Sequence, residues 1–144
     1  MPSILRNILV LLVALFVGGA VNMGLIMLGP SVIPIPEGFD MTTMEGLKEA
    51  MPLLEPKNFI FPFLAHALGT LVGAFIVAKF AATHHMRLAV TVGLFFLLAG
   101  ISMVMEIPGP TWYNLLDLVV AYVPMGWLGG RLAGRDFGVG REVI

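Results

Sequence analysis

Three polar residues that could bind a ligand or handle a proton interrupt long apolar stretches of this sequence: Asn22, His66 and Asp117. A carboxylate and an imidazolium each stabilise the charged form of the other, so a His–Asp pair can hold or transfer a proton. Ser102 is a fourth polar residue in a similar apolar setting. The sequence contains no phosphate loop, dinucleotide-binding motif or zinc-protease motif. We therefore identify no catalytic residue and no metal site from motifs.

The apolar stretches around these residues are long enough to cross a membrane. A bilayer core of about 30 Å needs roughly 20 residues of helix at about 1.5 Å per residue. Backbone polar groups in lipid must be hydrogen-bonded within the segment, so such stretches form helices. We predict an all-α fold, in which residues 1–144 form a single integral membrane domain. Its four transmembrane helices are predicted at 8–28, 59–82, 88–107 and 112–133.

Proline and glycine mark the predicted ends and bends of these helices. Gly29-Pro30 is expected to end the first helix, and 108–110 (Pro-Gly-Pro) to form the turn before the fourth. Pro124 lies inside the fourth stretch and cannot donate a hydrogen bond to the carbonyl of Val120. We therefore predict a kink in the fourth helix.

The composition excludes several classes of protein. Hydrophobic residues make up 58% of the chain and charged residues 12%, with a mean hydropathy of +0.96. Soluble domains carry about 25% charged residues. The net charge of −1 provides no electrostatic surface for a nucleic acid. The chain has no cysteine, which excludes disulfides and thiolate chemistry. We expect the lipid bilayer as the surroundings, no nucleic-acid partner and no cofactor.

The distribution of basic residues predicts the orientation. One side of the predicted membrane would carry six basic residues: Arg6, Lys79, Arg87, Arg131, Arg135 and Arg141. The other would carry only Lys48 and Lys57. Because cytoplasmic loops are enriched in Lys and Arg, we expect an inner-membrane protein with both termini in the cytoplasm. The first stretch could instead be a cleaved signal peptide, but it continues to Leu28 and exceeds the length of a signal-peptide core.

A short amphipathic helix is predicted in the first extracytoplasmic loop. Thr42 and Glu45 have the spacing of a capping box. Apolar residues then recur at helical spacing over about 43–54: Met44, Leu47, Met51 and Leu54. We expect this helix to lie along the outer surface with the first three of these turned inward. It could be a lid over the helix ends, or a gate or docking surface.

The polar residues fall at similar depths. At about 1.5 Å per residue, Asn22, His66 and Asp117 lie roughly 9–11 Å below the outer boundary, and Ser102 roughly 8 Å. Glu106 and Asn114 could form an outer rim above them. Small residues at helical spacing predict the helix contacts: Ala14, Gly18, Ala65, Gly69, Gly73, Gly126 and Gly130.

An unpaired polar or ionisable group is costly at this depth. We therefore expect His66 to meet Asp117, directly or through one water, with Asn22 close by. This polar layer could be a hydrogen-bonded knot that fixes the register of the helices. It could also be a site for protons or a ligand.

Three sequence segments are the basis of a resemblance to known proteins: PIPEGFD at 34–40, FPFLAHALGT at 61–70 and PTWYNLLDL at 110–118. Over nearly its whole length, the chain resembles a group of small, uncharacterised four-helix bacterial inner-membrane proteins. The resemblance implies the four-helix topology. It implies no activity, cofactor or catalytic residue.

Three functional hypotheses remain open. The first is a non-enzymatic accessory or structural subunit that packs against a membrane-protein partner or forms a homo-oligomer. The second is an oligomeric transporter or channel for a small solute or protons, using the Asn22/His66/Asp117 layer. The third is an intramembrane enzyme acting on a lipid or quinone, with His66 as base and Asp117 as acid.

Overall fold

A computed structural model describes residues 1–134, so Arg135 and Arg141, which were counted for orientation, lie outside the described residues. The described chain contains helices and no strands. Six α-helices follow one another: α1 (Ser3–Val32), α2 (Met44–Ala50), α3 (Ile60–Phe80), α4 (His85–Glu106), α5 (Thr111–Val120) and α6 (Val123–Leu132). Short 3-10 turns at Met51–Leu53 and Pro56–Phe59 connect α2 to α3.

Four segments of this chain are long and apolar enough to span a membrane: α1, α3 with the 3-10 turn before it, α4, and α5 together with α6. The predicted all-α fold with four membrane-spanning segments is confirmed. The boundaries differ from the predicted ones at both ends of α1 and within the fourth segment.

Helix α1 does not end at Gly29-Pro30 as predicted. It continues to Val32, and the backbone N–H of Ile33 donates to the carbonyl of Gly29 at 2.8 Å. Pro30 cannot donate a hydrogen bond to the carbonyl of Ile26, and the helix nevertheless continues past it for two residues. Gly29 is buried against Phe61 at the start of α3, where an added Cβ would lie 2.8 Å from the Phe61 Cβ. The helix persists because this contact holds its last turn in place.

The predicted kink at Pro124 is a break between two helices. Helix α5 ends at Val120, and α6 begins at Val123 with the proline in its first turn. A proline there costs little because the first N–H groups of a helix have no partner within the helix. The backbone N–H of Gly126 then donates to the carbonyl of Tyr122 at 2.8 Å and continues the chain as α6.

The amphipathic helix is present, but its predicted N-cap and its predicted end are wrong. Thr43, not Thr42, is the N-cap, since its hydroxyl accepts from the N–H of Gly46 at 3.1 Å. Thr42 instead donates to the carboxylate of Asp40, and the hydrogen bonds from Thr42 hold the pKa of that carboxyl below its usual value. The helix also ends at Ala50, before the 3-10 turn.

Met44 does not face inward as predicted, because it is 37% exposed. The buried face of α2 carries Gly46 and Ala50 instead. Gly46 lies directly against the backbone of Asp40, a contact that any Cβ would block. This close approach of two backbone segments rotates Met44 towards the outside, while Leu47 and Met51 are half-buried.

Helix α3 lies at the centre of the bundle and contacts α1, α4 and α6, whereas α1 packs mainly on α3. All seven residues predicted to pack helices together are buried. Gly18 faces Gly69 so closely that a Cβ on either would lie within 2.7 Å of the carbonyl oxygen of the other. Gly73 makes a similar contact with the backbone of Ala14. The interface between α1 and α3 is therefore formed by backbone atoms in direct contact.

We expect Gly18→Val to destabilise the protein by about 1–3 kcal/mol, the usual cost of overpacking. Its Cβ would lie 2.6 Å from the carbonyl oxygen of Gly69. Thermal unfolding in detergent measures the effect. Gly19→Val is the matched control, since nothing lies within 4 Å of a Cβ at that position. Equal loss of stability in the two variants would contradict the close approach of α1 and α3.

Candidate functional site

A hydrogen-bonded pair of side chains joins two of the membrane-spanning segments. The Nδ1 atom of His66 on α3 lies 2.8 Å from Oδ1 and 2.9 Å from Oδ2 of Asp117 on α5. Both carboxylate oxygens therefore share one ring nitrogen. The contact that the sequence predicts between these two residues is present as a direct one.

Tyr122 completes this group. Its hydroxyl donates to Oδ2 of Asp117 at 3.1 Å, and its ring stacks on that of His66 at 5.7 Å and 27°. In a continuous helix, residues five positions apart point about 140° away from each other. The break between α5 and α6 is what turns Tyr122 back towards Asp117. We call His66, Asp117 and Tyr122 the buried triad.

Helix α4 provides no polar group to the triad, but two of its glycines leave room for Tyr122. A Cβ at Gly100 would lie 2.6 Å from the Tyr122 hydroxyl oxygen, and one at Gly93 would lie 2.8 Å from the Tyr122 carbonyl oxygen. Any larger residue at either position would displace the tyrosine. Sequence reasoning did not identify these two glycines, although their spacing of seven places them on one face of α4.

The members of the triad differ in their exposure. The side chain of Asp117 is 4% exposed, whereas that of His66 is 23% exposed. A buried carboxyl group without partners is costly in an apolar medium, so the contacts of Asp117 with His66 and Tyr122 offset the cost of its burial. His66 is the member through which a proton or a small polar group could reach Asp117.

Asn22 is half-buried at the contact of α1 with α3 and forms no hydrogen bond with the triad. It packs against Gly69, where an added Cβ would lie 3.0 Å from the Cβ of Asn22. Its Oδ1 atom is buried without a hydrogen-bond partner among the described residues. The hydroxyl of Tyr113, one turn before Asp117 on α5, is also buried without a partner in that part of the chain.

Ser102 does not belong to the polar layer, because it is exposed on the outer surface of α4. It has a suitable depth, but it lies two residues from Gly100, which faces Tyr122. Two residues of helix correspond to a rotation of about 200°, so Ser102 points away from the triad.

The two residues of the predicted outer rim lie apart from the triad. Glu106 is exposed at the end of α4. Asn114 is half-buried, and its Nδ2 donates to the carbonyl of Gly109 at 3.2 Å. Asn114 thus stabilises the turn between α4 and α5. No rim of polar residues connects it to Glu106.

Aromatic rings cover the end of α5 that faces the α4–α5 turn. Phe59 packs on Tyr113 with ring centroids 4.5 Å apart, and its edge meets Trp112 at 5.7 Å. These rings join the start of α3 to the start of α5. They fix the relative position of the two helices that carry His66 and Asp117.

Over residues 1–134, no group of three or more His, Asp or Glu side chains is placed to hold a metal ion. His85 begins α4, and His84 before it is an exposed residue with a left-handed backbone, φ 55°. A left-handed residue here reverses the chain between α3 and α4.

Comparison with known proteins identifies no relative: no family model, no curated protein and no solved structure matches the chain. The resemblance to small bacterial inner-membrane proteins therefore stays a prediction. What the chain does must be inferred from its own geometry.

We expect Asp117→Leu to cost about 1–3 kcal/mol of stability, because His66 and Tyr122 lose their shared acceptor. The double variant His66→Phe/Asp117→Leu should be more stable than the single one, since it leaves fewer polar groups unpaired. Thermal unfolding of the three proteins in detergent measures the difference. Ser102→Ala removes an exposed hydroxyl that points away from the triad and should keep wild-type stability. A double variant less stable than Asp117→Leu would contradict the pairing.

Proposed function

We propose that this chain is a small, non-enzymatic membrane subunit that packs against the helices of a partner membrane protein or of further copies of itself. One observation supports this most directly: α1 carries a second surface of small residues, on the side away from α3. The four membrane-spanning segments provide the setting.

This surface consists of Ala20 and Gly24, and we call it the outer small face. Both residues are exposed, and nothing lies within 4 Å of a Cβ added at Gly24. Small residues four positions apart allow two helix backbones to approach closely in a membrane, where packing and not hydrophobicity drives association.

Helix α1 already uses the same spacing once. Ala14 and Gly18 are buried and receive the backbone of α3. Ala20 lies two residues beyond Gly18, about 200° around the helix. The outer small face therefore lies opposite the contact with α3. A further helix could pack there without disturbing the bundle.

We also propose that the protein lies in the inner membrane with both termini in the cytoplasm. Arg6, Lys79 and Arg87 lie at the end of the described bundle that carries the N-terminus. Lys48 and Lys57 lie at the other end. This distribution follows the bias of Lys and Arg towards cytoplasmic loops.

The association can be tested with Gly24→Leu. We expect this variant to lose the partner or the oligomer, because the new side chain keeps an approaching backbone at a distance, while the bundle itself keeps its stability. The mass of the complex extracted from membranes in mild detergent measures the loss. Ala99→Leu places the same side chain at an exposed position on α4 and should leave the complex unchanged. A wild-type protein that migrates as a single chain would contradict the proposal.

A second candidate is proton transfer through the buried triad. The observation in its favour is the pair of His66 and Asp117 beside a broken helix, an arrangement from which transporters build sites within the membrane. A proton bound by His66 could pass to Asp117 along their hydrogen bond. In this case the chain would act as an oligomer, because four segments enclose little space.

Proteoliposomes with a pH gradient test this candidate. If the triad carries protons, the wild-type protein dissipates the gradient and Asp117→Asn reduces the rate at least about tenfold, since an amide cannot accept the proton. Asp40→Asn changes a carboxylate outside the membrane-spanning segments and should keep the wild-type rate. Wild-type liposomes no leakier than protein-free ones would exclude proton transfer and leave the triad as a structural element.

A further inference from the structure

An apolar groove lies between the first part of α1 and the last part of α3. It has a volume of about 390 Å³ and is open to the outside of the bundle. Only apolar side chains line it: Leu9, Val10, Val13, Ile76 and Phe80. We propose that this groove, together with Arg6 and Lys79, binds one anionic phospholipid, with an acyl chain in the groove and the phosphate on the two basic side chains.

The basic side chains lie where the phosphate of such a lipid would be. Arg6 precedes Leu9 by about one turn of α1, and its Nε donates to the carbonyl of Phe80, a groove residue, at 2.9 Å. This bond holds the guanidinium at the end of the groove and leaves its other N–H groups for a phosphate. Lys79 is exposed beside Phe80. Within residues 1–134, neither side chain forms an ion pair with a carboxylate.

This end of the groove is held in place by further hydrogen bonds. Asn7 donates to the hydroxyl of Thr83 at 2.9 Å and accepts from the backbone N–H of Ala82 at 2.8 Å. The start of α1 is thereby tied to the turn between α3 and α4. A site that is ordered before binding loses less conformational entropy when a ligand binds.

The shape and charge of the site favour a lipid over a partner helix. No small residue lines the groove, so the backbone of another helix cannot approach closely there, whereas a flexible acyl chain can lie along these branched and aromatic side chains. Basic pockets between membrane helices bind anionic lipid head groups. The opposite end of the described bundle carries exposed acidic residues: Glu37, Asp40, Glu45, Glu49, Glu55 and Glu106. An anionic head group is therefore favoured only at the end that carries Arg6.

The experiment uses the purified full-length chain in mild detergent and two lipids with identical acyl chains, phosphatidylglycerol and phosphatidylcholine. Native mass spectrometry measures the fraction of protein that carries each lipid. We expect preferential binding of phosphatidylglycerol. Arg6→Gln/Lys79→Gln should weaken its binding about thirtyfold, and Lys79→Gln alone about fivefold, because each basic side chain near an anionic head group adds a similar increment. Lys79→Gln keeps the hydrogen bond from Arg6 to Phe80 and so separates lipid binding from folding.

Two further variants distinguish the proposal from simple charge attraction. Lys48→Gln/Lys57→Gln removes two positive charges at the opposite end and should leave phosphatidylglycerol binding unchanged. Val13→Phe, at an exposed groove position, should reduce binding of both lipids by filling the groove. Inorganic phosphate should not compete with phosphatidylglycerol. Equal affinity for the two lipids, equal losses in both double variants, or full competition by phosphate would each overturn the lipid site.

Discussion

The bundle depends on the close approach of helix backbones around α3. Helices in lipid gain no hydrophobic free energy by associating, so their contacts rely on packing and hydrogen bonds. Gly69 and Gly73 bring α1 onto one side of α3, and Gly129 brings α6 onto another, where an added Cβ would lie 2.6 Å from the carbonyl oxygen of Leu71. Larger side chains at these positions would separate the segments.

The buried triad follows from this packing. His66 lies on α3, and Asp117 and Tyr122 lie on the fourth membrane-spanning segment. That segment packs closely into the bundle through Gly129, which contacts α3. It also packs closely on α4, where Gly93 and Gly100 contact Tyr122. A buried pair of ionisable side chains contributes little net stability compared with apolar residues of similar size, since the cost of its desolvation offsets its attraction. The triad is therefore poorly explained by stability alone. Two roles would explain the triad: it could fix the register of α3 against α5, or it could bind and transfer a proton.

The sequence was sufficient to predict what depends on length and depth. Four apolar stretches predict the four membrane-spanning segments, and equal depth on small-residue faces predicts the contact of His66 with Asp117. Depth carries no information about rotation around the helix axis. Ser102 has the depth of the polar layer and was therefore predicted to belong to it, but it points away from the triad. The sequence also does not determine which threonine caps α2, because Thr42 and Thr43 can both do so. In the structure Thr42 is hydrogen-bonded to Asp40, and Thr43 is the cap.

Helix α1 carries two different exposed surfaces in addition to its contact with α3. Only Ala14, Gly18 and Gly29 of its thirty residues are buried, all in the contact with α3. Leu11, Leu15 and Asn22 are half-buried, and the exposed part of the helix surface is not uniform. Near the N-terminus, α1 forms an apolar groove with α3 beside a fixed guanidinium, whereas further along it presents the outer small face. The first surface is shaped for a flexible chain with an anionic head group, and the second for a flat helix backbone. Because the two surfaces are separated along α1, a lipid and a partner helix could bind at the same time without competing.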